Sequence, residues 1–423
     1  MSGRLRPQGA PTTVVSLAVI LALAVVGLVA LSSASTARSR GSRTRQSAAA
    51  KQPKCGDTIT KDTTLRKDLV DCPNNGILIG ADGVNLDLNG HVIDGDGTAF
   101  AQCPPKGFCD VGVLNDGHDG VTVMHGSVRQ FDAGAFVGKA RHNRLLGMSS
   151  SRNRFIGLNL ARVRDLRVLR VSTTRNHFAG ILCVRCVRSL VRNSAGNRTK
   201  GKFDQTGMLF FKSHHDRILH SSFRGNAGGG ILAPHSTNTV IRGNLFSHNG
   251  AEGLFMEGSH GFRITHNRSV GNQGGIALGP GSENVIAGNR VFRDREGITI
   301  TRGHGNLVAD NVVAHTRAGI RLGIRGSAAL AHNVVRRNLV RDSRKDGVRV
   351  GKKGRHSVLK GNVAKRSGHD GFEIKSRSAK LTSNRAVRND DLGIKAVRGV
   401  IDGGGNIARH NGDPRQCTNI VCS

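Results

Sequence analysis

The tetrapeptide Gly–apolar–x–apolar recurs along the chain at a nearly constant interval. It stands as GLNL from Gly157, GILC from Gly180, GMLF from Gly207, GILA from Gly230 and GLFM from Gly253. It continues as GIAL from Gly275, GITI from Gly297, GIRL from Gly319, GVRV from Gly347, GFEI from Gly371 and GIKA from Gly393. Most steps are about 22 or 23 residues, and longer ones before Gly207 and Gly347 imply short insertions. A fixed period of this length means stacked copies of one small unit rather than independent domains. Apolar residues alternate in runs of three to five, too short and too broken by glycine for helices. That excludes helical solenoids, and the L-x-x-L-x-L frame of leucine-rich repeats is absent. The spacing predicts an all-β solenoid, a parallel β-helix of roughly 14–15 coils of about 22–23 residues, over residues 55–411. At ~4.8 Å between paired strands the rod is roughly 70 Å long.

A second series runs in phase with the first: Asn244, Asn267, Asn289, Asn311, Asn333, Asn362, Asn384 and Asn406. Asparagine tolerates the left-handed backbone of a sharp turn, so these residues are expected at turns, stacked into one amide ladder. Gly 57 with Pro 9, and no G-X-Y period, excludes a collagen-like or disordered chain. So much glycine suits many tight turns at positive φ.

The N-terminus reads as an export segment. Arg4 and Arg6 precede an apolar run at 14–31, and small residues at Ser35 and Ala37 precede Arg38. Residues 1–37 are a signal peptide or a membrane anchor. The charges at Arg38, Arg40, Arg43, Arg45 and Lys51 oppose the anchored orientation and favour cleavage. Residues 38–54 form a basic flexible linker. Either way the body is extracytoplasmic, secreted or at the cell surface, and touches a membrane only through this segment. The 8 cysteines fall in close pairs, Cys55/Cys72, Cys103/Cys109, Cys183/Cys186 and Cys417/Cys422, and predict local disulfides. A redox or metal role for the CVRC pair lacks a second CxxC and a thioredoxin-like βαβ pattern.

The segment 55–97, and LDLNGHVIDG within it above all, resembles the opening of bacterial exported right-handed parallel β-helix repeat proteins. That family of carbohydrate-binding and sugar-hydrolase type repeats is pectate-lyase-like, and the likeness covers about 55–411. It implies a right-handed helix, closed by disulfide-tied caps at Cys55/Cys72 and, in residues 412–423, at Cys417/Cys422. It specifies fold well and chemistry poorly, because lyases, epimerases, a copper-processing periplasmic protein and inert scaffolds share the architecture.

Strand alternation assigns directions: the first and third residues after each glycine face the core, the second and fourth face solvent. Leu182, Val184, Leu209, Phe211, Leu232, Pro234 and Phe255 then form an outward apolar stripe, followed by Glu257. Such a stripe is a groove, an interface, or a surface under a loop. Polar groups gather at its edge: Lys212, His214, His215, Asp216, His235, Glu257, His260, Arg302 and His304. The resemblance implies polyanionic sugars along such a face, with a cation neutralising a uronate carboxylate and a base taking the C5 proton. In that reading His214, His235, Glu257 and Arg302 are catalytic, while Lys212, Phe211, Phe255, His260 and His304 bind substrate. The competing reading takes these histidines, among 18 in the chain, as solvated turn residues. Absent Trp and Tyr leave Phe136, Phe211 and Phe255 as the platforms for a sugar ring.

The formal charge of +34 attracts polyanions. The expected partner is acidic polysaccharide or another anionic envelope polymer. The export segment and scarce stacking aromatics count against nucleic acid. The chain is then an uronate lyase or C5-epimerase, or a non-catalytic monomeric scaffold that holds wall polymers. No cofactor is evident; a divalent cation such as calcium stays open, although no run of closely spaced acidic residues suits it.

Overall fold

The computed structural model describes residues 52–98, 109–201, 205–323 and 330–423. The 1–37 segment, all of the 38–54 linker before residue 52, and Cys103 lie outside the described residues. The chain winds into a parallel β-solenoid of about 15 turns. Each lap gives one strand to each of three parallel sheets, of sixteen, fifteen and fifteen strands. One lap runs through Ile156–Ala161 in the first sheet, Arg167–Leu169 in the second and Ser172–Thr174 in the third. The next opens at Ala179–Val184, where Ile181 pairs with Leu158. The sequence period is therefore the pairing register. Among the described residues there is no helix. Cys417–Thr418 still pairs in the first sheet, so strand stacking continues into the 412–423 segment.

The alternation holds. Leu158, Leu160, Ile181, Cys183, Met208, Phe210, Leu254 and Met256 all join one continuous core. Each large apolar side chain buried there contributes ~1.5–3 kcal/mol.

The repeat glycines serve a different purpose from the one composition suggests. None of them has positive φ. They mark a corner where consecutive laps approach closely. A Cβ on Gly253 would lie 2.7 Å from Ser269 Oγ and 2.9 Å from both Gly275 O and Phe246 Cβ. Gly253→Ala is expected to cost about 3 kcal/mol by overpacking. An unfolding midpoint equal to that of the parent would show that the laps yield at this corner.

Left-handed turns are filled mostly by other residues. Eleven of the 18 histidines, His215, His235, His248 and His266 among them, have φ near +55°. The ladder asparagines are not left-handed; the residue before each one is. Gly243 (φ 67°), His266 (φ 55°) and Gly288 (φ 64°) turn the chain so that Asn244, Asn267 and Asn289 point inward.

There the amides stack as expected, with one substitution. Asn311 donates to Asn338 at 3.0 Å, and Asn338 to Asn362 at 2.9 Å. Asn333 belongs to a different ladder, Asn284–Asn306–Asn333. The reason is register: Val334 pairs with Leu307 in the second sheet, whereas Leu339 pairs with Val312 in the third. A third ladder runs through Asn226, Asn249 and Asn272 to Asp294.

Cys55–Cys72, Cys183–Cys186 and Cys417–Cys422 are disulfides. Cys183 and Cys186 are buried in the core, which gives their bond a structural role. The fourth expected pair, Cys103 with Cys109, is not among the disulfides described, because Cys103 falls outside the described residues. Cys109 itself is buried and is not a free thiol, and its Sγ lies 3.5 Å from Asn74 Oδ1.

Candidate binding face

The outer surface of the first sheet is built from columns, one residue per lap. Pairing places Leu114, Phe136, Asn159, Leu182, Leu209, Leu232 and Phe255 in a single column. Beside it stand Ala161, Val184, Phe211, Pro234 and Glu257. These residues pack as clusters separate from the core, so they point outward as alternation requires.

They do not meet solvent, which corrects the expectation. Leu182 is 0 % exposed, Leu209 2 % and Phe211 3 %; only Phe255 and Glu257, at the stripe's end, are half-buried. The stripe is therefore buried and not an open groove over most of its length.

Along its exit edge runs a rail of basic residues. Lys139, Arg162, Arg185, Lys212 and His235 occupy equivalent left-handed turns in five successive laps, all exposed. The backbone ties the laps together: Arg162 N donates to Val184 O at 2.8 Å, Lys212 N to Pro234 O at 3.2 Å, and His235 N to Glu257 O at 2.7 Å. Lys212 Nζ sits 5.3 Å from the Phe211 ring centre, and the His235 ring meets Phe211 edge-on at 6.1 Å. Lys212, Phe211, His235 and Glu257 are thus brought together.

The other expected residues are spread along the rod. His214 and His260 share a second column with Thr237 between them; His260 is exposed, while His214 and Thr237 are half-buried. His260 pairs with Ser282, and His304 stands one lap beyond, so three imidazoles recur every second lap, roughly 10 Å apart. Arg302 is exposed and lies two laps past Glu257. From His214 to Arg302 the set spans about four laps, roughly 19 Å. Asp216 does not belong to the surface. It is 2 % exposed and points inward, its Oδ1 accepting the Ser189 amide at 2.6 Å. Burial pushes its pKa up to about 7.

In the later laps of the same face, alternation places Thr299, Thr301, Arg321, Arg349, Glu373 and Lys375 outward, and sequence reasoning gave them no role. There the outward column becomes Thr299, Arg321, Arg349, Glu373 and Lys395. Arg321 pairs with Glu296 at 2.8 Å, and Glu373 is held at 2.8 Å by both Arg349 and Lys375. Burial opposes ionisation of Glu373, but the Lys375 hydrogen bond and the Arg349 charge outweigh it and leave the pKa low. Asp346 moves the other way, raised by burial and by the charge on Glu373. Burial also raises Asp370 to about 6, against the pull of Lys395. The alternating charges at the outward positions Arg321, Arg349, Glu373 and Lys375 were the available signal. This half of the face neutralises itself; on the rail only Lys139 has a carboxylate partner among the described residues, Asp116 at 3.4 Å.

The family described as "Periplasmic copper-binding protein (NosD)" matches residues 157–322 and 281–403, together more than half of the chain. The chain belongs to the NosD family. No curated protein matches it closely enough to report. Among solved structures it is similar to the periplasmic alginate epimerase AlgG, at 16 % identity and TM-score 0.47, over 72 % of this chain and 77 % of that one. It is also similar to the A-module of the Azotobacter vinelandii mannuronan C-5 epimerase AlgE6, at 12 % identity and TM-score 0.45, over 88 % of each. A tailspike protein of E. coli bacteriophage HK620 matches at 13 % identity and TM-score 0.49, over 86 % of this chain and 73 % of that one.

The described residues of this NosD-family chain do not fit a bound copper. Copper takes imidazole, thiolate or thioether donors. Among the described residues no three His, Cys, Asp or Glu gather closely enough to hold a metal, and no cysteine is free. Met208 and Met256 are sealed in the core. The nearest imidazole pair, His332 and His356, stacks at 5.1 Å with no third donor.

Proposed function

We propose that this chain is an extracytoplasmic rod that binds acidic polysaccharide of the cell envelope along its length. The observation that carries this reading is the rail: exposed basic residues repeat once per lap from Lys139 to His235, and Arg162, Arg185 and Lys212 among them make no ion pair among the described residues, where a folded protein gains nothing from setting like charges side by side. A linear polyanion with one charge per sugar matches a linear series of cations better than a compact ligand does. The export segment at 1–37 and the family's periplasmic description support the location.

Binding is favoured over catalysis by the spread of His214, His235, Glu257 and Arg302, because a base must stand within hydrogen-bond reach of its proton. Of the named residues on this face only Lys212, His235 and Glu257 stand together around the buried Phe211 ring. Incubation with polyuronate is expected to give binding that weakens roughly tenfold between about 0.05 M and about 0.3 M salt, without unsaturated product or changed C5 configuration. Turnover lost in His235→Ala or Glu257→Ala would overturn the non-catalytic reading. Affinity indifferent to salt would overturn the electrostatic one.

A further inference from the structure

A second feature lies at the opposite edge of the first sheet, at the corner where the third sheet turns into it. Two shallow depressions, of about 210 and 580 Å³, run end to end there and share Thr174 and Arg175. Arg152, Arg175 and Arg198 form the rim, one per lap, each exposed on a left-handed turn. Ser151, Thr174 and Asn197 form the floor, paired lap to lap on the outer face of the third sheet. Arg129 closes one end, anchored to Asp94 at 2.7 Å; Arg224 and His248 close the other. Arg224 is itself held, its amide donating to Asn197 Oδ1 at 2.8 Å and its Nε to Ser247 Oγ at 3.1 Å.

Two facts set this groove apart from a merely basic surface, and a third shows that its turns do not require arginine. No carboxylate lines it. Arg152, Arg175 and Arg198 make no ion pair among the described residues, unlike Arg188, Arg337 and Arg366, which are paired to aspartates from comparable turns. The third is backbone conformation. The same column takes glycine at Gly225 and Gly271, so the turn does not require a side chain, and a left-handed backbone disfavours one. Arginine stands there at a local conformational cost, its guanidinium with no ion-pair partner among the described residues.

We infer that this groove is the seat of one extended polyuronate chain, lying parallel to the rod with successive carboxylates on Arg152, Arg175 and Arg198. The guanidinium fork accepts a carboxylate bidentately, and the arginines recur at ~4.8 Å along the rod. The hydroxyls of Ser151 and Thr174, which make no hydrogen bond among the described residues, face the sugar hydroxyls from below. The inference rests on the acidic-polysaccharide reading above and adds a second seat for such a polymer, across the first sheet from the rail.

The test uses the full chain, calorimetric titration with oligomannuronate long enough to span three laps, and a neutral oligosaccharide of equal length for comparison. Arg152→Gly, Arg175→Gly and Arg198→Gly are combined in one variant. The control variant carries Arg170→Gly, Arg293→Gly and Arg388→Gly, which remove the same charge from the same kind of turn outside the groove. The groove variant is expected to lose tenfold or more in affinity, with an unfolding midpoint equal to or above that of the parent, because glycine suits these turns. The control is expected to lose less than threefold. Equal losses in both variants would overturn the groove and leave diffuse charge as the binder. Full affinity in the groove variant would overturn it while leaving polysaccharide binding intact. No oligomannuronate binding by the parent would defeat the functional reading itself.

Discussion

The rod is expected to unfold at higher temperature near pH 4 than near pH 7. Buried aspartates are responsible, Asp110 and Asp370 among them, and the two most deeply buried are Asp216 and Asp294. Asp216 stands in the ladder position between Ser189 and Thr239, with Oδ2 lacking a hydrogen bond among the described residues. Asp294 ends the run Asn249–Asn272, accepting from the Asn272 amide at 2.6 Å and from its side chain at 2.8 Å; its Oδ2 is likewise unpartnered. Burial raises Asp216 to about 7 and Asp294 to about 6, from 3.8. The folded state therefore holds these protons more tightly than the unfolded chain does. Their stabilising effect is complete below pH 3.8, fades as pH rises, and is gone above the folded pKa. Shifts of this size correspond to about 4 kcal/mol for Asp216 and about 3 kcal/mol for Asp294. Ion-paired aspartates such as Asp165 and Asp310, whose guanidinium partners lower their pKa, act in the opposite direction. They lie at the surface, where such pairs contribute little. Asp216→Asn and Asp294→Asn should each raise the midpoint near pH 7 and flatten its pH dependence. A midpoint that is flat or rises between pH 4 and pH 7 in the parent would show that these carboxylates reach water.

Asn267→Ala should be about as severe, costing about 4 kcal/mol. The side chain of Asn267 accepts from the Asn244 backbone amide and side chain at 2.9 and 3.0 Å. It donates to Ile241 O at 2.9 Å and Asn289 Oδ1 at 3.0 Å. Truncation leaves the Asn244 N–H and the Ile241 carbonyl without partners inside the rod, at about 1–3 kcal/mol each, and adds a cavity. Because each lap touches only its neighbours, the damage should stay local. Hydrogen exchange should accelerate over the laps holding Asn244, Asn267 and Asn289 while the distant Asn384–Asn406 laps keep their protection. Uniform acceleration would mean that the solenoid unfolds as one cooperative unit.

The architecture was legible because a solenoid converts sequence period directly into spatial register. Counting from Gly157, Gly180 and Gly253 correctly divided inward from outward residues, and the apolar column through Leu182, Leu209 and Phe255 exists. Three things were not legible. Asn333 and Asn338 lie five residues apart, each before a short apolar strand, and local sequence favours neither for the third-sheet ladder; pairing across the insertion at 324–329 decides it. The fate of the outward stripe was equally hidden, since alternation gives a direction and says nothing about what lies above it. The groove at Arg152, Arg175 and Arg198 escaped notice because turn residues read one lap at a time look like ordinary solvated charges.

Sequence alone determined the strand period, the side of each strand that builds the core, and the excess of positive charge. Only the tertiary structure decided which charges stand free. That depends on which residues meet from laps some twenty positions apart, and stacking in register turns isolated arginines, buried aspartates and turn histidines into columns that compensate one another in one place and remain unpaired in another.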